Sequence, residues 1–107
     1  PGKIVPIDWN ERTTPVSDSQ LIVNTTSLGM MGMPELDFDF AALSPGTVVY
    51  DLVYNPLETN LLKAAKAQGG LAVDGLGMLL HQARPGFSHW FGTMPDVTED
   101  LQKIVLE

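Results

Sequence analysis

The run Asp74-Gly75-Leu76-Gly77-Met78-Leu79-Leu80-His81-Gln82 constrains this chain more than any other stretch. Ahead of it, Leu71-Ala72-Val73 is an apolar triplet suited to a short buried strand, and behind it leucines recur at helical spacing. A strand must therefore become a helix across two glycines, the first of them placed where backbone can approach closely. The helix then carries an amide, Gln82, in an otherwise oily stretch, one turn beyond Met78 and on the same face. That pattern is a ligand-facing turn, because open α/β sheets receive ligands beyond the carboxyl ends of their strands.

Two further strands end in the same way. Leu21-Ile22-Val23 is apolar on both faces, the mark of a buried parallel strand, and stops at Asn24-Thr25-Thr26. Thr47 to Tyr54 is dense in β-branched and aromatic residues, follows the turn Ser44-Pro45-Gly46 and ends at Asn55-Pro56. Thr59 suits the N-cap of a helix built on Leu61, Leu62, Ala64, Ala65 and Ala67, with Gly69-Gly70 as its left-handed stop. Strand, connection, strand, helix, strand, helix is the order of a doubly wound α/β sheet. Its strand ends lie at Asn24 to Gly29, Asp51 to Asn55 and Asp74 to Gly77.

The remaining segments are less regular. Ile4 to Asp8 contains Pro6 and reads as an edge or terminal strand at best. Asn10 to Ser19 is polar and turn-rich, Met30 to Pro34 is loop, and Phe38 to Leu43 suits a helical turn. In the last third, Leu76, Leu79, Leu80, Ala83, Phe87 and Trp90 form one stripe, but Pro85 inside it predicts a kink or break near Arg84. A final amphipathic helix runs from Asp96 to Leu106, with Asp96 or Thr98 as its cap.

Bulk properties narrow the function classes. A chain of 107 residues with 44% hydrophobic side chains is one domain of ordinary size, and no apolar stretch is long enough for a membrane span. With 13 acidic and 6 basic residues, the net charge of −7 argues against nucleic acid and anionic lipid. The absence of Cys removes thiolate catalysis and agrees with a cytoplasmic location. A start at Pro1 suggests one piece of something longer.

Taken in register, Asn24-Thr25-Thr26-Ser27-Leu28-Gly29-Met30, Tyr50-Asp51-Leu52-Val53-Tyr54-Asn55-Pro56 with Thr59, and Asp74 to Leu79 with Gln82 closely resemble the C-terminal part of shikimate dehydrogenase. The likeness covers Leu21 to Glu107, including Phe87, Trp90, Phe91-Gly92 and Pro95-Asp96-Val97. It implies a partial Rossmann-like domain: residues 1–74 as the second half of an NADP-binding unit, and residues 75–107 as helices that return to a catalytic domain absent from this chain. It also implies NADPH-dependent reduction of 3-dehydroshikimate to shikimate in the complete protein. The catalytic Lys and Asp, the glycine-rich pyrophosphate loop and the Asn-Arg-Thr segment for the 2′-phosphate would all lie outside this chain, which contains no G-x-G-x-x-G.

By the same resemblance Asn24, Thr25, Thr26, Leu52, Gly75 and Met78 meet the cofactor, and Tyr54 and Gln82 offer a phenol and an amide to the substrate's hydroxyls and carboxylate. Each also has a plainer reading. Asn and Thr satisfy open backbone groups at strand ends, leucines and methionines fill cores, and a glycine makes a turn. His81 and His89 lack a carboxylate at ligand spacing, so no metal site is expected. Asp51 and Asp74 are better read as caps of the following turn or helix than as a catalytic pair, and Ser27 has no nucleophile-elbow context. Rival readings are a non-catalytic binding module of the same fold and a quinate-preferring relative. A truncated sheet would leave an unpaired edge and bare apolar surface, and so favour self-association.

Overall fold

The computed structural model describes residues 2–106; Pro1 and Glu107, which enter the expectations above, lie outside them. Three strands, β1 (Leu21–Asn24), β2 (Val48–Asp51) and β3 (Leu71–Val73), form one sheet in the order β1-β2-β3. All pairings are parallel, with Leu21 opposite Val48 and Val48 opposite Leu71. Helix α1 (Asn60–Ala67) connects β2 to β3, and α2 (Leu76–Phe91) and α3 (Glu99–Leu106) follow. This is the parallel α/β arrangement that the order of segments predicts and the partial Rossmann-like sheet that the resemblance implies.

The two-residue period of the strands sorts side chains to opposite faces. Ile22, Val49 and Ala72 share one row and meet Leu61, Leu62 and Ala65 of α1, together with Val16, Phe40 and Leu43. The link between β1 and β2 is not a helix. Leu36, Phe38, Phe40 and Leu43 pack from an extended chain whose one turn bond runs from Leu43 N–H to Phe40 O. On the opposite face Leu21, Val23, Leu71 and Val73 stay exposed. The expectation of strands buried on both sides is therefore met on one side only, and the other side is left largely open.

Several boundaries depart from the sequence reading. Ile4 to Asp8 forms no strand, since no neighbouring strand is there to pair with it and Ile4 is fully exposed. The polar stretch after it winds into two 3₁₀ turns, Trp9–Glu11 and Thr14–Asp18, and the second buries Val16. The β2 ladder stops at Asp51 rather than running to Tyr54, because the Asp51 side chain takes the N–H of Val53 and turns the chain out of the sheet. The Asn55–Pro56 peptide is cis.

Thr59 caps α1 as expected, accepting the Leu62 N–H, and Gly69 closes its far end at φ +85°, a left-handed conformation that suits glycine. Of the kink or break expected near Arg84, no break occurs: helix α2 runs from Leu76 through Pro85 to Phe91. Pro85 donates no bond to His81 O, but both residues are exposed, so water can satisfy that carbonyl. Helix α3 begins at Glu99, later than Asp96. Thr98 Oγ1 accepts the Leu101 N–H, while Asp96 lies 3.9 Å from Arg84 instead.

Candidate functional site

All three strands end at the same edge of the sheet, and their turns are tied to one another. Asn24 and Asp51 are register partners on adjacent strands and project to the face covered by α1. There they are buried, with Asp51 wholly so, and the Asn24 amide donates to Asp51 Oδ1 at 3.1 Å. The first turn then folds around Asn24. Its Oδ1 accepts from the Thr26 N–H at 3.0 Å and the Thr26 hydroxyl at 2.6 Å, its amide also donates to Leu28 O at 3.2 Å, and Thr26 Oγ1 accepts the Leu28 N–H.

The second turn is held from both sides. Leu52 N–H donates to Asn24 O at 3.2 Å, which extends the β1–β2 contact by one residue. Asn55 O accepts the Met31 N–H at 2.8 Å, and Gly29 N–H donates to Pro34 O at 2.7 Å, so the methionine loop is closed upon itself and fastened to this turn. The third turn abuts the second directly. A β-carbon on Gly75 would stand 2.4 Å from Leu52 O and 2.9 Å from Val53 O. Asp74 Oδ1 accepts the Leu76 N–H and thereby caps α2, since Gly75 has no side chain to do so.

The turns therefore converge, yet the predicted residues do not all face one hollow. A cavity of about 300 Å³ beside β1 is bordered by Asn24, Thr25 and Thr26 over a floor that includes Ile22 and Phe38. Another, of about 710 Å³, lies between the third turn and α3 and is lined by Tyr50, Asp74, Gly77, Met78 and His81. Tyr54 borders a third, with Asn55, Leu57 and Leu76. Gln82 is exposed on α2 and borders none of these three.

The structure sharpens several assignments. Asn24 and Thr26 spend their side chains on internal bonds, and of the Asn24-Thr25-Thr26 run only Thr25 is exposed. Leu52 is half-buried with its carbonyl against Gly75, so Gly75 is required by the neighbouring backbone, whatever ligand approaches. Met78 is partly exposed and free to cover a flat ligand. Asp51 and Asp74 each accept an N–H two residues ahead, which bears out their reading as caps. Among the described residues no three His, Asp or Glu side chains gather at ligating distance.

Sequence reasoning did not reach the bond from Thr59 Oγ1 to Asp51 Oδ2, at 2.7 Å between two buried side chains. The signal was present in outline. An Asp ends a strand and, eight residues on, a Thr starts the helix that packs under that strand.

Known proteins match this arrangement. A sequence profile of the shikimate 5′-dehydrogenase C-terminal domain matches residues 75–104. The NADP(+) shikimate dehydrogenase of Azorhizobium caulinodans is 53% identical over 104 residues, covering 97% of this chain and 37% of that protein. Among solved structures, quinate dehydrogenase of Corynebacterium glutamicum in complex with NAD superposes with a TM-score of 0.82 at 36% identity, over 95% of this chain and 36% of the other. The shikimate 5-dehydrogenase of Thermus thermophilus, in complex with NADP(H) and shikimate, gives 0.68 at 33% identity over 77% and 31%. The chain thus spans about a third of the length of these relatives. By sequence and by fold it is similar to the C-terminal part of these shikimate and quinate dehydrogenases.

Proposed function

We propose that this chain forms the nicotinamide-side wall of an NADP-dependent shikimate dehydrogenase whose catalytic half is a further segment of polypeptide. The observation that carries the proposal is the convergence of three strand-end turns at one sheet edge, through Asn24 with Asp51 and Leu52 with Gly75. Its support from relatives is an NADP(+) enzyme more than half identical in sequence.

The residues present fit one end of a dinucleotide. Around the turns they offer a free Thr25, the half-buried Leu52 and the Met78 thioether, which suit a ribose and an uncharged ring. They offer no phosphate clamp. Among the described residues Arg12 alone of the arginines borders the cavity beside β1, and its guanidinium is spent on Trp9 O and Asp37 O. Bound NADPH supplies a hydride to the substrate ketone. The chain's own part is to position. With the nucleotide bound, Thr25 and the Asn24 and Thr26 backbone would hold the ribose, Leu52 and Gly75 would set how closely the ring approaches, and Met78 would cover it and exclude water. Tyr54 and Gln82, both exposed, would pair with hydroxyls and carboxylate of the substrate, where an unpaired polar group costs affinity.

In this reading residues 1–74 complete a nucleotide-binding sheet, and 75–107 carry helices that lie on the catalytic half. The exposed Phe87, Trp90 and Phe91 of α2 supply the apolar contact. The complete protein would act in the cytoplasm; among the described residues no helix is long and apolar enough to cross a membrane. The likeness to a quinate dehydrogenase with NAD favours a second reading, a quinate-preferring relative. The deciding experiment joins the N-terminal part of the A. caulinodans enzyme to this chain and assays NADPH oxidation with 3-dehydroshikimate. Turnover by the chimera and none by the 107-residue chain alone is expected. An active isolated chain, or a folded but inert chimera, refutes the proposal.

A further inference from the structure

Asp51 is the one carboxyl group in the described residues that is wholly buried, and the chemistry proposed above makes no use of it. Both of its oxygens are occupied. Oδ1 accepts from the Asn24 amide at 3.1 Å and from the Val53 N–H at 3.0 Å, and Oδ2 accepts the Thr59 hydroxyl at 2.7 Å. These three donors come from three different segments: the end of β1, the turn after β2 and the cap of α1.

The Asn24 amide has two chemically distinct ends, and only a partner that accepts decides which end faces it. With Asp51 accepting, the Asn24 nitrogen points inward and its oxygen must point toward the first turn, where it receives both the N–H and the hydroxyl of Thr26. Thr26 in turn receives the Leu28 N–H. A single buried acceptor thus sets the orientation of the Asn24 amide and, through it, the bonds to Thr26 and Leu28 in the turn that borders the cavity beside β1. Thr59 links the same acceptor to the first turn of α1 through the Leu62 N–H.

We propose that Asp51 is a positioning residue for the nucleotide: it fixes the Asn24-Thr25-Thr26 turn in its binding shape by orienting the Asn24 amide, and locks that shape to α1 through Thr59. The proposal rests on the reading of this turn as a cofactor contact. It separates Asp51 from the substrate side, since Gln82 lies outside the network and Tyr54 makes no bond in it.

The test uses the complete polypeptide, with steady-state kinetics in both substrates and hydrogen-exchange mass spectrometry of peptides across Asn24 to Met30. Asp51→Ala leaves three buried donors without an acceptor, and the nucleotide KM is expected to rise about tenfold, the scale of one lost charge-assisted bond. The shikimate KM should move less than about twofold, and exchange across Asn24 to Met30 should quicken. Asp51→Asn keeps an acceptor toward Asn24 and Val53 and turns its nitrogen to Thr59, which can accept. It should restore the nucleotide KM to within about threefold of wild type.

A merely structural role would lower the melting temperature and move both KM values together, with no rescue by Asn; that result overturns the proposal. So does a folded Asp51→Ala enzyme with an unchanged nucleotide KM. If Asp51→Ala does not fold, Thr59→Val removes only the α1 arm, and an unchanged nucleotide KM there is equally fatal. The wild-type arm separates this inference from the functional reading. Wild type that binds NADPH but leaves 3-dehydroshikimate unreduced defeats the reaction assignment, and Asp51 is then judged on NADPH affinity and exchange. Wild type that binds no NADPH defeats both.

Discussion

Replacing Gly75 by Ala would place a methyl group where the second turn already has backbone. The added carbon would lie 2.4 Å from Leu52 O, 2.8 Å from Leu52 C and 2.9 Å from Val53 O, whereas ordinary contact begins near 3.4 Å. Something must move by about 1 Å, and a peptide group cannot rotate aside as a side chain does. The Leu52 peptide is anchored by its own N–H to Asn24 O and by Asp51 just before it. On the other side, α2 is anchored by the bond from Leu76 N–H to Asp74. Gly75 sits at φ −82°, which any residue adopts, so the requirement is space and not backbone freedom.

Overpacking of this kind costs about 3 kcal/mol at the upper end of the usual range. Removing a glycine from the unfolded chain offsets about 0.5–1 kcal/mol of that. Gly75→Ala should therefore destabilise by about 2 kcal/mol. Gly77, two residues on, has open space around its hypothetical β-carbon and lies inside α2, so Gly77→Ala should stabilise by about 0.5–1 kcal/mol. Urea denaturation of the three chains, followed by circular dichroism, reads both values with one slope. A Gly75→Ala chain within about 0.5 kcal/mol of wild type, or a Gly77→Ala chain equally destabilised, would refute the argument from close approach.

Two further outcomes follow from the surfaces left bare. Trp90 is 79% exposed on α2, so Trp90→Ser should leave the isolated chain within about 0.5 kcal/mol of wild type yet weaken its association with a separately expressed N-terminal half; undiminished association in a pull-down would remove Trp90 from that contact. On the open face of the sheet, Leu71 is 58% exposed beside Val48, and Leu71→Lys should shift the 107-residue chain toward monomer in sedimentation velocity. A wild-type chain already monomeric at high concentration would show that this face does not self-associate.

The order of segments was enough to specify a parallel α/β sheet, and local chemistry to specify the Thr59 cap, the stop at Gly69 and the roles of Asp51 and Asp74 as caps, because each cap or stop depends on neighbours a few residues away. Family likeness was legible for a related reason, since three short motifs at strand ends keep their spacing whether or not the rest of the protein is present. Pro85 marks the limit of local rules. A proline breaks a helix where the lost bond cannot be replaced, and only the fold decides that Pro85 and His81 are exposed, which leaves that carbonyl open to water. The inward turn of Asn24, the wholly buried Asp51 held by Thr59, and the collision that reserves position 75 for glycine all join segments tens of residues apart or on different elements. Such relations exist only once β1, β2 and β3 lie side by side, because hydrogen bonds and steric exclusion act through a few ångströms of space and take no account of distance along the chain.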